Sequence, residues 1–201
     1  MTPAVTVVRT STANLASVVT AFERFGCSVR TTADPDAVAR SDRVVLPGVG
    51  AFAAARAAID TRGLEDALRD RMLQGRSTLG ICLGMQLMAR GSEEAPGVTG
   101  LGLLDGEVES YGQGHPELRV PQMGWNLVSP SDGCRIVPRG FAYFANSYRL
   151  ATITPGWHPV WSEYGGRFLA AVERGAVVAC QFHPELSGTY GKALLSNWLE
   201  A

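Results

Sequence analysis

Residues 80–84 read Gly-Ile-Cys-Leu-Gly, and residues 181–185 read Gln-Phe-His-Pro-Glu. A cysteine thiol attacks carbonyl carbon as its thiolate. A free cysteine titrates near pH ~8.5, so only a few per cent is reactive at neutral pH. A histidine base raises that fraction, and a carboxylate beside the histidine fixes its tautomer and stabilises its charged form. Cys82, His183 and Glu185 are the residues that supply this set. A nucleophile flanked by Gly-x and x-Gly suits a sharp strand-to-helix turn, where neighbouring backbones come too close for side chains. Such a turn lifts the sulfur above the sheet's C-terminal edge and sets it at a helix N-terminus. The unpaired N–H groups there favour negative charge, and the Leu83 N–H can hold an oxyanion. Taken alone, Cys82 also fits a small buried hydrophobe that closes a strand.

Three histidines compete for the role of base. His115 falls in a polar Gly-rich stretch and His158 in a Pro-Gly-Trp-His-Pro turn, both ordinary surface settings. His183 ends the apolar run Val177–Phe182 and precedes proline, which biases it towards extended backbone and forbids a helix. Continued at strand period, His183 and Glu185 project to the same side. By themselves these residues also describe a His-Pro turn after a core strand, with Glu185 solvated. A metal site is disfavoured: Cys180 and His183 are three apart on the expected strand and face opposite sides, with no further ligands clustered near them.

The elements that must position these groups follow from hydrophobic patterning. Strands are expected at 5–9, 28–32, 43–46 and 78–81. Helices are expected at 14–25, from Asp34-Pro35-Asp36, at 52–59, at 64–74 and at 85–90. This alternation predicts a parallel sheet covered on both faces. The second half reads as strands at 107–111, 125–128, 142–148, 160–163, 168–172 and 176–182, before a helix over 190–199. Hairpins are expected there, with 176–182 rejoining the main sheet.

The chain has 201 residues, enough for one domain spanning 1–201, and 46 % of them are hydrophobic. The net charge is −1 without charge runs or a basic stripe, so neither nucleic acid nor an anionic membrane is an expected partner. Lys192 is the only lysine. No apolar stretch approaches the ~20 residues that span a bilayer, and the N-terminal residues lack the pattern of a secretory signal. A cytoplasmic location follows as an expectation. The four scattered cysteines are then expected as free thiols. Neither a Walker-type loop nor a clear dinucleotide fingerprint occurs, and no cofactor or metal is expected.

LGICLGMQLM with QFHPE resembles the signature pair of class I (triad-type) glutamine amidotransferases. That resemblance implies a three-layer α/β/α fold with a mainly parallel central sheet, and hydrolysis of glutamine with transfer of ammonia to a synthase. Six stretches in order, LPGVGAF, GICLGMQLM, SEEAPGVTGLG, PQMGWN, YFANSY and QFHPELS, resemble the branch formed by the glutaminase subunits of imidazole glycerol phosphate synthase, in histidine biosynthesis. The implied roles are Cys82 as nucleophile, His183 as base and then acid, and Glu185 as its orienting carboxylate. The resemblance further implies an oxyanion site from the Leu83 N–H with one from Val49–Gly50. Substrate is implied at Gln86, Glu94 and the Ser147-Tyr148 backbone. Trp125 and Tyr143 are implied to lie towards a separate cyclase subunit, a (β/α)₈ barrel, in a heterodimer.

The chain departs from that pattern in the loop after its first strand, and at Gln122 and Asn146, where histidines are usual, and Leu186, where lysine is usual. These changes fall mostly on segments expected near the partner. The alternatives are a paralogous glutaminase subunit feeding a different acceptor synthase, a cysteine hydrolase of related fold, and a binding module with a vestigial site.

Overall fold

The computed structural model describes residues 2–10, 15–111 and 117–201. His115, Asn14 and most of the departing loop after the first strand lie outside them. In chain order the elements are β1 (Ala4–Val8), α1 (Leu15–Glu23), β2 (Ser28–Thr32), α2 (Pro35–Arg40), β3 (Val44–Gly48), α3 (Phe52–Thr61), α4 (Leu64–Leu73), β4 (Thr78–Cys82) and α5 (Leu83–Gln86). There follow β5 (Gly91–Ser92), β6 (Glu107–Ser110), β7 (Gln122–Pro130), β8 (Gly140–Asn146), β9 (Tyr148–Arg149), β10 (His158–Glu163), β11 (Arg167–Arg174), β12 (Val177–Cys180), a 3₁₀ turn at Pro184–Leu186 and α6 (Gly188–Glu200).

Nine strands form one sheet in the order β2-β1-β3-β4-β12-β11-β10-β7-β8. The first five run parallel, and β12 rejoins β4 in parallel as expected. The rest are joined by antiparallel pairs. The small β5-β6-β9 sheet was not foreseen; two of its strands have only two residues, too short for any period to register.

Strand alternation separates the two faces. Val45, Val178 and Cys180 enter one apolar core with Val18 and Phe22 of α1 and Leu194 and Trp198 of α6. Val44, Leu46, Val177 and Ala179 enter the other with Phe52 of α3 and Leu64, Leu68 and Met72 of α4. The result is the three-layer α/β arrangement. Asp34 accepts from the Asp36 N–H, which starts α2 as its sequence predicts. Buried Arg71 donates to the carbonyls of Val38, Ser41 and Ser77 and to Thr78, so one guanidinium ties the entries of β3 and β4 to the end of α2. Burial lowers its pKa only to about 10, so it stays charged at neutral pH.

One helix is shorter than expected. The pattern predicts a helix over 85–90, but α5 ends at Gln86. The carbonyls of Leu87, Met88 and Ala89 accept instead from the N–H groups of Leu101, Leu103, Leu104 and Gly102. A Cβ on Gly100 would collide with the Ala89 carbonyl. The loop following the SEE stretch therefore takes the hydrogen bonds that would have prolonged the helix. No helix among the described residues is long and apolar enough to cross a membrane.

Candidate active site

The sheet sets the site. Cys82 is the last residue of β4, between the end of β3, where Gly48 is its register partner, and the end of β12, where Cys180 pairs with Ile81. At this point one neighbour precedes β4 in sequence and the other follows it by a long excursion, and the crevice between them is the usual binding position in open α/β sheets. Cys82 has φ 52° and ψ −110°, and it alone among the described non-glycine residues has positive φ. Such a conformation costs on the order of 1–3 kcal/mol and persists only where the surroundings impose it. The surroundings here are glycines. A Cβ on Gly48 would sit 2.7 Å from the Leu83 Cβ; one on Gly80 would sit 3.2 Å from the Gly84 carbonyl oxygen; one on Gly84 would collide with the Leu46 carbonyl. The steric demand read from Gly-x-Cys-x-Gly is met, and Gly48 of the Pro-Gly-Val-Gly turn belongs to the same packing.

His183 and Glu185 do meet, but not by strand alternation. β12 ends at Cys180, two residues earlier than the pattern suggests, and Glu185 lies in the 3₁₀ turn. His183 keeps the extended backbone that Pro184 imposes (φ −103°, ψ 95°), and the turn swings Glu185 back so that Oε1 lies 2.8 Å from Nδ1. Both side chains are buried. The turn is tied to β8: the His183 N–H donates to the Tyr143 carbonyl, Ser187 Oγ donates to the His183 carbonyl, and the Tyr143 N–H donates to Ser187 Oγ. With Nδ1 engaged by Glu185, Nε2 is the ring nitrogen left free to serve Cys82, which lines the same cavity.

Burial works against a charged His183, yet hydrogen bonds to Cys82 and Glu185, and their negative charge, outweigh it and push its pKa up to about 10. A proton bound more tightly in the folded state stabilises that state. This contribution is complete below the unfolded value near 6.5 and is lost as pH rises through about 10. The thermal midpoint is therefore expected to fall between pH 6.5 and 10 in the wild type, and less steeply in Cys82→Ala, which lacks one of the two partners. Calorimetry across that range checks it; parallel curves for the two proteins would contradict the pairing.

A cavity of about 360 Å³ opens at the elbow. Cys82, Leu83, His183, Val49, Gly50, Gln86, Glu94, Ser147 and Tyr148 all line it, so every expected oxyanion and substrate position is brought together there. Glu185 stands behind His183 rather than in the cavity wall. Trp125 and Tyr143 are outside, cross-strand partners on β7 and β8 with ring centroids 6.2 Å apart. Two candidates carry duties the letters did not suggest. Glu94 Oε2 accepts from the Phe52 N–H at 2.9 Å and so caps α3, whose Ala51 cap position offers no side-chain acceptor. Gln86 Nε2 donates to the Tyr148 carbonyl and to Gln181 Oε1. His158 is exposed at the start of β10, as expected. No group of three or more metal-binding side chains occurs among the described residues.

Sequence reasoning missed Gln181, Tyr111 and the places of Gln122 and Asn146. Gln181 is buried and its Nε2 lies 3.5 Å from Cys82 Sγ. Its signal was available: a polar residue in an apolar strand-like run, two before His183. Gln122 and Asn146 were assigned to the partner side, but they are buried register partners, joined through the Tyr111 hydroxyl. Leu186 is exposed.

The model of the family described as "Glutamine amidotransferase class-I" matches residues 8–201. A relative from Deinococcus radiodurans, named "Imidazole glycerol phosphate synthase subunit HisH", is 40 % identical over 189 residues, covering 92 % of this chain and 87 % of its own. The chain belongs to the class-I glutamine amidotransferase family, in its HisH branch. Relatives of the same name from Herpetosiphon aurantiacus (40 % identical, covering 98 % of this chain and 93 % of that one) and Symbiobacterium thermophilum (41 %, 92 % and 88 %) agree. Among solved structures, a glutamine amidotransferase superposes with TM-score 0.76 at 21 % identity over 97 % of both chains. PurLQS from Thermotoga maritima superposes with TM-score 0.73 at 17 % identity, over 100 % of this chain and 99 % of that one. At such identities the structures speak for the class-I amidotransferase fold alone. The family resemblance drawn from the six stretches thus holds for the branch as well as for the class.

Proposed function

We propose that the protein hydrolyses L-glutamine to L-glutamate and ammonia, as the glutaminase subunit of imidazole glycerol phosphate synthase in histidine biosynthesis. The observation that carries this is the strained Cys82 elbow facing His183–Glu185 across one cavity. His183 takes the thiol proton, Cys82 Sγ attacks the glutamine carboxamide carbon, and the Leu83 N–H with one from Val49–Gly50 holds the oxyanion. The C–N bond breaks as His183 returns the proton to the departing ammonia. Water, deprotonated by His183, then cleaves the γ-glutamyl thioester. Glu185 orients the imidazole throughout. Gln86, Glu94 and the Ser147-Tyr148 backbone bind the substrate.

The partner is a cyclase subunit of (β/α)₈ form, paired as a heterodimer. Support comes from the β7–β8 hairpin at the sheet edge, where Met123, Trp125, Leu127 and Phe141 are exposed on neighbouring strands. A contiguous apolar patch of this kind marks an interaction surface. The hairpin also holds the His183 turn through Tyr143, so docking there acts on the site. A single domain over 1–201 and a cytoplasmic location complete the proposal. A paralogue serving another acceptor is not favoured, since the three relatives carry one name. Glutamate release from glutamine is expected to be low for the chain alone and to rise with the cyclase and its nucleotide ligand. A cyclase that neither binds nor stimulates would refute the partner.

A further inference from the structure

The hydrogen bonds behind the cavity have a direction that can be read without ambiguity. The Tyr148 carbonyl can only accept. It receives Asn146 Nδ2 at 2.9 Å and Gln86 Nε2 at 3.3 Å, which fixes how both amides are turned. The second hydrogen of Gln86 Nε2 goes to Gln181 Oε1 at 2.9 Å. With its oxygen accepting, Gln181 presents its NH₂ to Cys82 Sγ. At the other end, the second hydrogen of Asn146 Nδ2 goes to the Tyr111 hydroxyl at 3.1 Å, which therefore donates to Gln122 Oε1 at 2.8 Å. The chain links Gln122, between Pro121 and the exposed Met123 on the β7–β8 hairpin, to the sulfur through direct contacts.

We propose that Gln181 is a further catalytic residue, an amide donor that holds the Cys82 sulfur as thiolate, and that Gln86, Asn146 and Tyr111 are positioning residues that lock its orientation. The proposal rests on Cys82 being the nucleophile. Three features support it. Gln181 is 1 % exposed, and a glutamine so buried costs free energy that methionine of similar length would not. A thiolate is acceptor only, and a donated hydrogen bond favours the charged form. α5 is a single turn, so its dipole is weak, and a side-chain donor supplies what the helix does not. Gln181 does not line the cavity, so it touches the sulfur but not the substrate; its other contact is to Gln86, which does line the cavity.

The test compares wild type, Gln181→Met, Gln181→Glu, Tyr111→Phe and Cys82→Ala. The readouts are the pH profile of iodoacetamide inactivation, and kcat and KM for glutamate release with the cyclase present. Gln181→Met is expected to slow alkylation at neutral pH about tenfold, displace its profile to higher pH, and lower kcat by a similar factor, a rise in KM reporting only the released Gln86. Gln181→Glu, which places a second acceptor against the sulfur, is expected to displace the profile further. It retains residue length if the methionine variant fails to fold. Tyr111→Phe, one end of the chain removed, is expected to move the profile the same way by less. A wild-type alkylation profile in folded Gln181→Met or Gln181→Glu overturns the proposal. Undiminished glutamate release by Cys82→Ala would instead overturn the nucleophile assignment beneath it.

Discussion

Cys82→Ala is expected to abolish glutamate formation, with a loss of about 10⁴-fold or more, because the reaction then has no nucleophile. No neighbour can take over. Cys180 is fully buried, its Sγ directed at the carbonyls of Gly80 and Phe182, and burial pushes its thiol well above the ordinary range. Stability should respond differently. Alanine at φ 52° meets the same backbone strain as cysteine, so Cys82→Ala is expected to fold about as well as the wild type, apart from the lost His183 contact. Cys82→Gly relieves the strain and is expected to gain stability, by about 1 kcal/mol, while being equally inactive. Glutamate release and urea unfolding, measured together, check this. A Cys82→Gly protein less stable than Cys82→Ala would show that the elbow stores no strain.

Gly84→Ala is expected to be among the most damaging single-methyl changes at the site. The added Cβ would strike the Leu46 carbonyl, a backbone atom of the neighbouring parallel strand that has no rotamer to give way with. Relief requires α5 to lift off β3 at the C-terminal edge, where the cavity is built. The expected cost is about 3 kcal/mol or more, together with loss of glutaminase activity. Gly75→Ala is the informative comparison. Its φ is 72°, but its Cβ would meet open space, so only conformational cost remains, on the order of 1 kcal/mol. Urea unfolding of the two variants separates close approach from conformation. Equal losses would mean the elbow is not packed as tightly as the structure has it.

Much of the fold was legible because its signals are local. The parallel half follows from apolar runs of strand length alternating with helical period, and β2 falls where its pattern places it. The elements that went astray were decided by distant partners. α5 stops at Gln86 because the N–H groups of residues 101–104, beyond a loop, take the carbonyls of Leu87, Met88 and Ala89 that a longer helix would have used. His183 and Glu185 were paired correctly for the wrong geometric reason. A strand period was assumed where a 3₁₀ turn, pinned to Tyr143 of β8, makes the contact. Gln122 and Asn146 fall on segments expected near the partner, and their burial beside Tyr111 depends on a β7–β8 register that letters do not carry.

By itself, then, the sequence determined the chemistry available: a cysteine between glycines that only a tight turn requires, a histidine held extended by proline, and a carboxylate two residues on. It did so because nucleophilicity, glycine's lack of a Cβ and proline's fixed φ belong to the residues themselves. Only the tertiary structure decided which polar groups face the sulfur. Hydrogen-bond direction among Asn146, Gln86, Gln181 and Cys82 depends on the ends of β4, β8, β9 and β12 and the helix α5 coming together behind the cavity, and no local pattern encodes that meeting.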